Sequence, residues 1–219
     1  MKKSSALVLL SSGLDSSVNL LMALQKFERV EAVTFLYGQK AAGRELQHAR
    51  KQCRRHKVRH HVIQLPFIGA FGGSSLTTSK KIPMGRSVKI DDLKASQKTA
   101  KSVWVPNRNG ILLNVGAGLA ESLGIQVVVP GFNKEEATTF PDNNRDFMQR
   151  LTRSFELSTA NKVRVECFTV AMKKPEIARR GFNLGLQKSD LWPCYNSGKN
   201  WCSECESCKR ALRALEGIL

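Results

Sequence analysis

Leu7-Val8-Leu9-Leu10-Ser11-Ser12-Gly13-Leu14-Asp15-Ser16-Ser17 is an apolar run, then small hydroxylated residues around a glycine, then the start of a helical pattern. Ala6 to Leu10 is the continuous apolar stretch expected of a buried parallel strand. Val18, Leu20, Leu21, Met22 and Leu24 follow at spacings that suit a helix packed on that strand. A loop entering a helix N-terminus presents unpaired backbone N–H groups and the positive end of the helix dipole. Serine hydroxyls add donors, Gly13 can take φ > 0, and Asp15 can cap the helix or help hold a metal ion. This is the chemistry of a phosphate-binding loop, although the same spacing also serves an ordinary βα turn with a Ser/Asp cap.

Outward from this stretch the chain alternates strand and helix, which makes a parallel sheet. Glu31 to Gly38, His61 to Leu65, Ile125 to Val129 and Val163 to Phe168 read as the second to fifth strands. Arg44 to Lys57 reads as a charged helix with Leu46, Ala49 and Cys53 on one face, and Ile111 to Leu123 as a helix with Leu112, Val115, Leu119 and Leu123 inward. Cys53 is a small buried hydrophobe on this reading, and His60 and His61 mark a loop-to-strand junction. Phe67 to Ser102 carries Gly69, Gly72, Gly73, Pro83 and Gly85 with little periodicity, so a long loop is expected, a lid over substrate or a disordered segment. Phe147, Leu151, Phe155 and Ala160 follow Asp142 at helical spacing, so Asp142 can be an N-cap, a ligand, or both. Pro175 suits the first turn of a further helix opened by Lys173 and Lys174.

The 219 residues suffice for one α/β domain burying about 70–75% of its unfolded surface. No stretch is apolar enough to span a bilayer, and Met1-Lys2-Lys3-Ser4-Ser5 leads straight into the first strand, so a cytoplasmic protein is expected. Lys plus Arg number 35 against 18 acidic residues, a net charge of +17 that attracts polyanions. The basic residues are spread along the chain without aromatic interleaving, which favours a solvated basic surface over a nucleic-acid site. Six cysteines in a reducing compartment argue for metal or buried thiols rather than disulfides. Cys194, Cys202, Cys205 and Cys208 place four thiolates within fifteen positions, the donor set of a closed tetrahedral Zn²⁺ site, with Lys199, Lys209 and Arg210 available to offset its charge. Iron–sulfur runs use a different spacing.

Ser11-Ser12-Gly13-Leu14-Asp15-Ser16 resembles the Ser-Gly-Gly-x-Asp-Ser pyrophosphate loop of the N-type ATP pyrophosphatases, with Ser12 where that family has its first glycine. A side chain at Ser12 is expected to narrow the approach to phosphate and, if φ > 0 is needed, to cost about 1–2 kcal/mol. Val105-Pro106-Asn107-Arg108-Asn109 resembles the Val-Pro-Gly-Arg-Asn segment of the 7-cyano-7-deazaguanine synthase family of PP-loop enzymes, with Asn107 replacing glycine. Phe140-Pro141-Asp142, Lys174 and the four cysteines also follow that family's pattern, in order along nearly the whole chain.

The resemblance implies a Rossmann-like (adenine nucleotide alpha hydrolase-like) parallel five-stranded sheet with flanking helices. Residues 1–190 would form the PP-loop domain and 191–219 a four-cysteine zinc-binding appendage. ATP would lie against Leu10, Ser11, Ser12, Gly13, Leu14, Asp15, Ser16, Ser17, Val18, Asn19 and Leu20. Ser11, Asp15, Ser16 and Lys174 would act on the phosphates with Mg²⁺, and Arg108, Asn109, Glu135 and Asp142 would bind the second substrate. Asp142 is the first choice to accept the adjacent N–H donors of a guanine-like base, with Glu135 or Glu136 the second. The implied reaction converts 7-carboxy-7-deazaguanine, ammonia and ATP to the 7-cyano compound. Two alternatives stand beside it: a relative that joins the activated acid to an amine on a protein or nucleic acid, and a degenerate nucleotide- or RNA-binding module. A homodimer is compatible with either.

Overall fold

In the computed structural model, which describes residues 4–218, β1 (Ser5–Leu9), β2 (Arg29–Leu36), β3 (Arg59–Gln64), β4 (Val127–Val129) and β5 (Arg164–Val165) form one sheet ordered β3-β2-β1-β4-β5. Every pairing is parallel. The apolar run of β1 is central because helices cover both of its faces, so both of its side-chain rows must be apolar. Leu7 packs on one face with Val33, Val128 and Leu113, and Ala6, Val8 and Leu10 pack on the other with Ala32, Val127 and Leu20. Each fully buried Leu or Val contributes roughly 1.5–3 kcal/mol. The chain runs outward from β1 through β2 to β3, then returns to β4 on the other side of β1. Open α/β sheets bind ligands at the carboxyl ends of the strands where the order reverses in this way.

Helix α1 (Leu14–Lys26) lies between the sheet and α7 (Lys174–Asn183): Leu20 and Ala23 face β1, while Val18 and Leu21 meet Ile177 and Ala178. A Cβ on Gly181 would come within 2.6 Å of Val18 Cγ2, so only glycine allows this approach. The remaining helices are α2 (Ala42–Arg55), α3 (Phe67–Ala70), α4 (Leu93–Val103), α5 (Arg108–Ser122), α6 (Arg145–Ser158) and α8 (Glu206–Leu215). Among the described residues no helix is long and apolar enough to cross a membrane.

Three expectations need correction. Residues 67–102 are not one irregular loop. They hold α3 and α4, and Leu76, Ile82, Val88, Ala100 and Val103 are buried. Helix α4 lacks a clear apolar period because its inner face is Ser96, Thr99, Ala100 and Val103, all modest in size and half of them polar. Thr99 Oγ1 satisfies itself by donating to Glu206 Oε2 at 2.7 Å. The cap of α6 is Asn144, whose side chain accepts from Phe147 N at 2.9 Å, so Asp142 is not the cap. His60 and His61 lie within β3, where His60 bonds Thr34 Oγ1 and His61 Nε2 sits 2.6 Å from Glu31. Cys53 is buried as expected, and burial pushes its thiol up to about 12.

Candidate active site

A cleft opens at the carboxyl ends of β1, β2 and β4, floored by Leu10, Thr34 and Pro130. The turn from β1 into α1 forms one wall. Gly13 is the N-cap residue and offers no side-chain cap, which leaves the first-turn N–H groups of α1 without a capping acceptor. Ser16 Oγ donates to Gly13 O and lies 3.2 Å from Ser11 Oγ, so the two hydroxyls brace the turn while lining the cleft. Gly131, after β4, packs directly on this turn: a Cβ there would meet Ser16 N at 2.6 Å.

Ser12 has φ +59°, so the position does demand the left-handed conformation. Its side chain is fully buried and points away from the cleft, donating to Ser11 O at 2.6 Å and Glu45 O at 3.2 Å. The conformational cost therefore stands, but the expected narrowing of the phosphate approach does not arise. Asn107, at the second departure from the family pattern, has φ +49°; asparagine tolerates that region better than most residues.

Of the eleven residues expected to meet ATP, the structure brings Leu10, Ser11, Gly13, Leu14, Asp15 and Ser16 to the cleft. Ser17, Val18, Asn19 and Leu20 do not reach it, because once the chain is helical these positions rotate into the protein. Ser17 Oγ accepts from Gln52, and Val18 and Leu20 are core. Asn19 bonds Thr169 Oγ1 and Phe168 N, tying α1 to the segment after β5.

Lys174, 159 residues from the loop, is buried with its ammonium 2.8 Å from both Asp15 Oδ2 and Glu136 Oε1. Burial alone would lower its pKa, but the two carboxylates outweigh that and raise it, so the lysine is charged. Burial raises Asp15, against the pull of Lys174, whereas for Glu136 the lysine wins over burial and holds the carboxyl low. Asn133 ties the group together, with Nδ2 on Asp15 Oδ2 and Oδ1 accepting from Glu136 N. Asp15 Oδ1 is buried and has no partner. Glu135, expected at the substrate, faces the other way: Oε1 accepts from Lys174 N at 2.9 Å and Oε2 from Arg213 at 3.2 Å. On one short turn, neighbouring residues project to opposite sides, and Glu136 is the one in the cleft.

At the far end Arg108 reaches the Tyr37 hydroxyl at 3.5 Å and Asn109 Oδ1 at 3.2 Å. Asp142 lines the same region with Oδ1 buried and unpartnered, its carboxyl raised by burial against the opposing charge of Arg108. Trp104 and Phe140 stack there, ring centroids 6.0 Å apart and planes within 9°. Tyr37 and Gln39 complete this end, Glu45 lies between it and the phosphate loop, and all three escaped sequence reading. Their only signal was position, Tyr37 and Gln39 just past the carboxyl end of β2 and Glu45 in the first turn of the helix that follows.

The sulfurs of Cys194, Cys202, Cys205 and Cys208 all lie within 4.8 Å of one another. Backbone N–H groups of Asn196 and Cys202 point at Cys194 Sγ, and that of Cys205 at Cys202 Sγ, which favours thiolates. Lys209 and Arg210 do not offset the cluster as expected. Lys209 donates to Gly85 O and Val88 O, and Arg210 pairs with Glu206. The cluster is joined to the cleft by Trp192, whose backbone N–H donates to Ser12 O at 2.9 Å, and by Tyr195, which lines the cleft.

The strand order and the uncapped β1–α1 turn define the class, a PP-loop α/β fold. Solved structures sharing the fold include a 4-thiouridine synthetase–RNA complex with bound ATP (TM-score 0.51, 16% identical, covering 98% of this chain and 51% of that one). Another is the NMN synthetase from Francisella tularensis (TM-score 0.50, 15% identical, covering 91% and 70%). Within that class, a family model described as Queuosine biosynthesis protein QueC matches residues 5–219. The chain is 48% identical over 215 residues to the 7-cyano-7-deazaguanine synthase of Bdellovibrio bacteriovorus, covering 97% of this chain and 93% of the relative. It is 42% identical to that of Pelotomaculum thermopropionicum (95% of each) and 40% identical to that of Methanosarcina mazei (97% and 94%). The chain belongs to the QueC family.

Proposed function

We propose that this chain converts 7-carboxy-7-deazaguanine, ammonia and ATP to 7-cyano-7-deazaguanine. The observation that carries the reading is the meeting of Asp15, Glu136 and Lys174 beside an uncapped helix N-terminus, in one cleft with Arg108 and Asp142. The N–H groups of α1, the hydroxyls of Ser11 and Ser16, and Lys174 receive the phosphates and stabilise charge as pyrophosphate departs. Arg108 holds the acid's carboxylate toward the α-phosphate. The unpartnered Oδ1 of Asp142 accepts from the N–H edge of the base, and Trp104 and Phe140 cover its face. Ammonia displaces AMP to give the amide, and a second activation of the amide oxygen, followed by loss of AMP, leaves the nitrile.

The orphaned Asp15 Oδ1 next to Glu136 is a hard oxygen donor set that fits Mg²⁺. Held by these two carboxylates, Mg²⁺ would neutralise charge on the phosphate oxygens. Four converging thiolates with no open position fit a structural Zn²⁺. On this reading residues 1–190 form the PP-loop domain and 191–219 the zinc segment packed on it, in a cytoplasmic enzyme. Purified protein given the acid, ammonium and Mg-ATP should release two AMP per nitrile formed. Nitrile without AMP, or none from folded, zinc-loaded protein, overturns the assignment.

A further inference from the structure

Glu45 on α2 is a cleft carboxylate that the phosphate and base contacts above leave unused. Its Oε2 accepts from Gln39 Nε2 at 2.9 Å. The Gln39 amide cannot turn over, because Nε2 also donates to Phe35 O at 3.0 Å and Oε1 accepts from Tyr37 N at 2.8 Å. Gln39 is buried and the backbone carbonyl of Glu45 is bonded by Ser12 Oγ, so the carboxylate is fixed beside the phosphate loop. No donor among the described residues bonds its other oxygen, Oε1. The charged and titratable groups that face it are Arg108 from α5 and the Tyr37 hydroxyl. Lys174 is engaged by Asp15 and Glu136.

The proposed reaction needs ammonia as a nucleophile, yet an unhindered amine is a cation at neutral pH, as lysine is. A proton must leave before the nitrogen lone pair can attack. We infer that Glu45, oriented by Gln39, forms an ammonium subsite in which the free carboxylate oxygen binds the cation and takes its proton. This inference rests on the function proposed above. One N–H bond breaks and an O–H bond forms on Glu45; the freed lone pair makes the C–N bond as the C–O bond to AMP breaks. The adduct's second proton and the one on Glu45 pass to water in the cleft. Burial pushes the Glu45 carboxyl up to about 7, against the smaller opposing effects of Gln39 and Arg108, which makes it a stronger base than an ordinary carboxylate.

The test compares wild type with Glu45→Gln at saturating ATP and acid, measuring nitrile and amide against total ammonium from pH 6.5 to 9. Wild type should show an ammonium KM that is flat above about pH 7. Glu45→Gln should depend on free ammonia alone, with a KM raised roughly tenfold or more at pH 7 and falling about tenfold per pH unit. Hydroxylamine, uncharged at neutral pH, should still capture the acyl adenylate as hydroxamate in the variant. Glu45→Asp keeps a carboxylate and should keep the flat profile, which serves if the amide variant does not fold. A Glu45→Gln profile parallel to wild type, or hydroxamate lost in proportion to nitrile, overturns the inference. Failure of the underlying reaction is distinguishable, since wild type itself would then release no acid-dependent AMP.

Discussion

At the phosphate end of the cleft Lys174 pairs with Asp15 and Glu136, each at 2.8 Å, and Asp15 Oδ1 stays without a partner, whereas at the other end Arg108 makes only long bonds to neutral groups and the carboxylates of Asp142 and Glu45 keep an oxygen without a protein donor among the described residues. The first arrangement has its opposite charges paired before any ligand arrives. Burial pushes the lysine toward its neutral form and the carboxylates toward theirs, and the attraction between them opposes both effects. The second arrangement is incomplete, and an unpaired buried acceptor costs about 1–3 kcal/mol until a donor reaches it. On the function proposed above, the charge that opposes a leaving pyrophosphate is set in advance, and the acceptors that would meet the base and the ammonium are left open.

Removing metal from the cysteine cluster should disturb both ends at once, because Trp192 holds Ser12 O and Tyr195 lines the cleft. Stripping the metal with a strong chelator, followed by metal analysis and thermal melting, should abolish AMP formation and lower Tm by roughly 10 °C or more. Full activity in metal-free protein would separate the cluster from the cleft. Lys174→Met breaks the charge-paired end alone. Acid-dependent AMP release should fall about a thousandfold, with a stability loss on the order of 3–5 kcal/mol from the two stranded carboxylates. More than a tenth of the activity remaining would show that the lysine does not carry this end.

Asp142→Asn addresses the open end, and there the effect should be on affinity. The KM for the acid should rise about 10- to 100-fold with kcat little changed. An equal fall in kcat at unchanged KM would move Asp142 from recognition to chemistry. Smallest of all is Ser12→Gly. Relief of the left-handed penalty, about 1–2 kcal/mol, is opposed by about 0.5–1 kcal/mol of glycine chain entropy and by the loss of two hydrogen bonds. The variant should melt within about 4 °C of wild type and turn over within twofold, since the hydroxyl does not face the cleft. A tenfold change in kcat would mean that Ser12 shapes the phosphate end after all.

Sequence patterns were informative where a single element contains its own explanation. The apolar β1 run, the serine-rich turn and the Cys-x-x-Cys-x-x-Cys spacing each lie within a few residues, and the parallel sheet followed from alternation of strands and helices. Helix α4 was missed because Ser96 and Thr99 replace apolar residues on its buried face, with Glu206 from α8 supplying the missing partner. Glu45 and Gln39 were missed because nothing around them in the chain signals chemistry; they matter only because β2 ends beside β1.

What the sequence alone determined is the local backbone: a strand, a serine-rich turn and a helix able to receive phosphate, with a cysteine cluster near the other end of the chain. Only the tertiary structure decided which charges meet. It turned Glu136 into the cleft and Glu135 toward Arg213, placed Lys174 against Asp15 across 159 residues, and aimed Ser12 away from the phosphate approach. The physical reason is range. Hydrogen bonding and torsional preference within a turn act between neighbours in the chain, but the pairing of buried charges depends on which strand ends the sheet brings together.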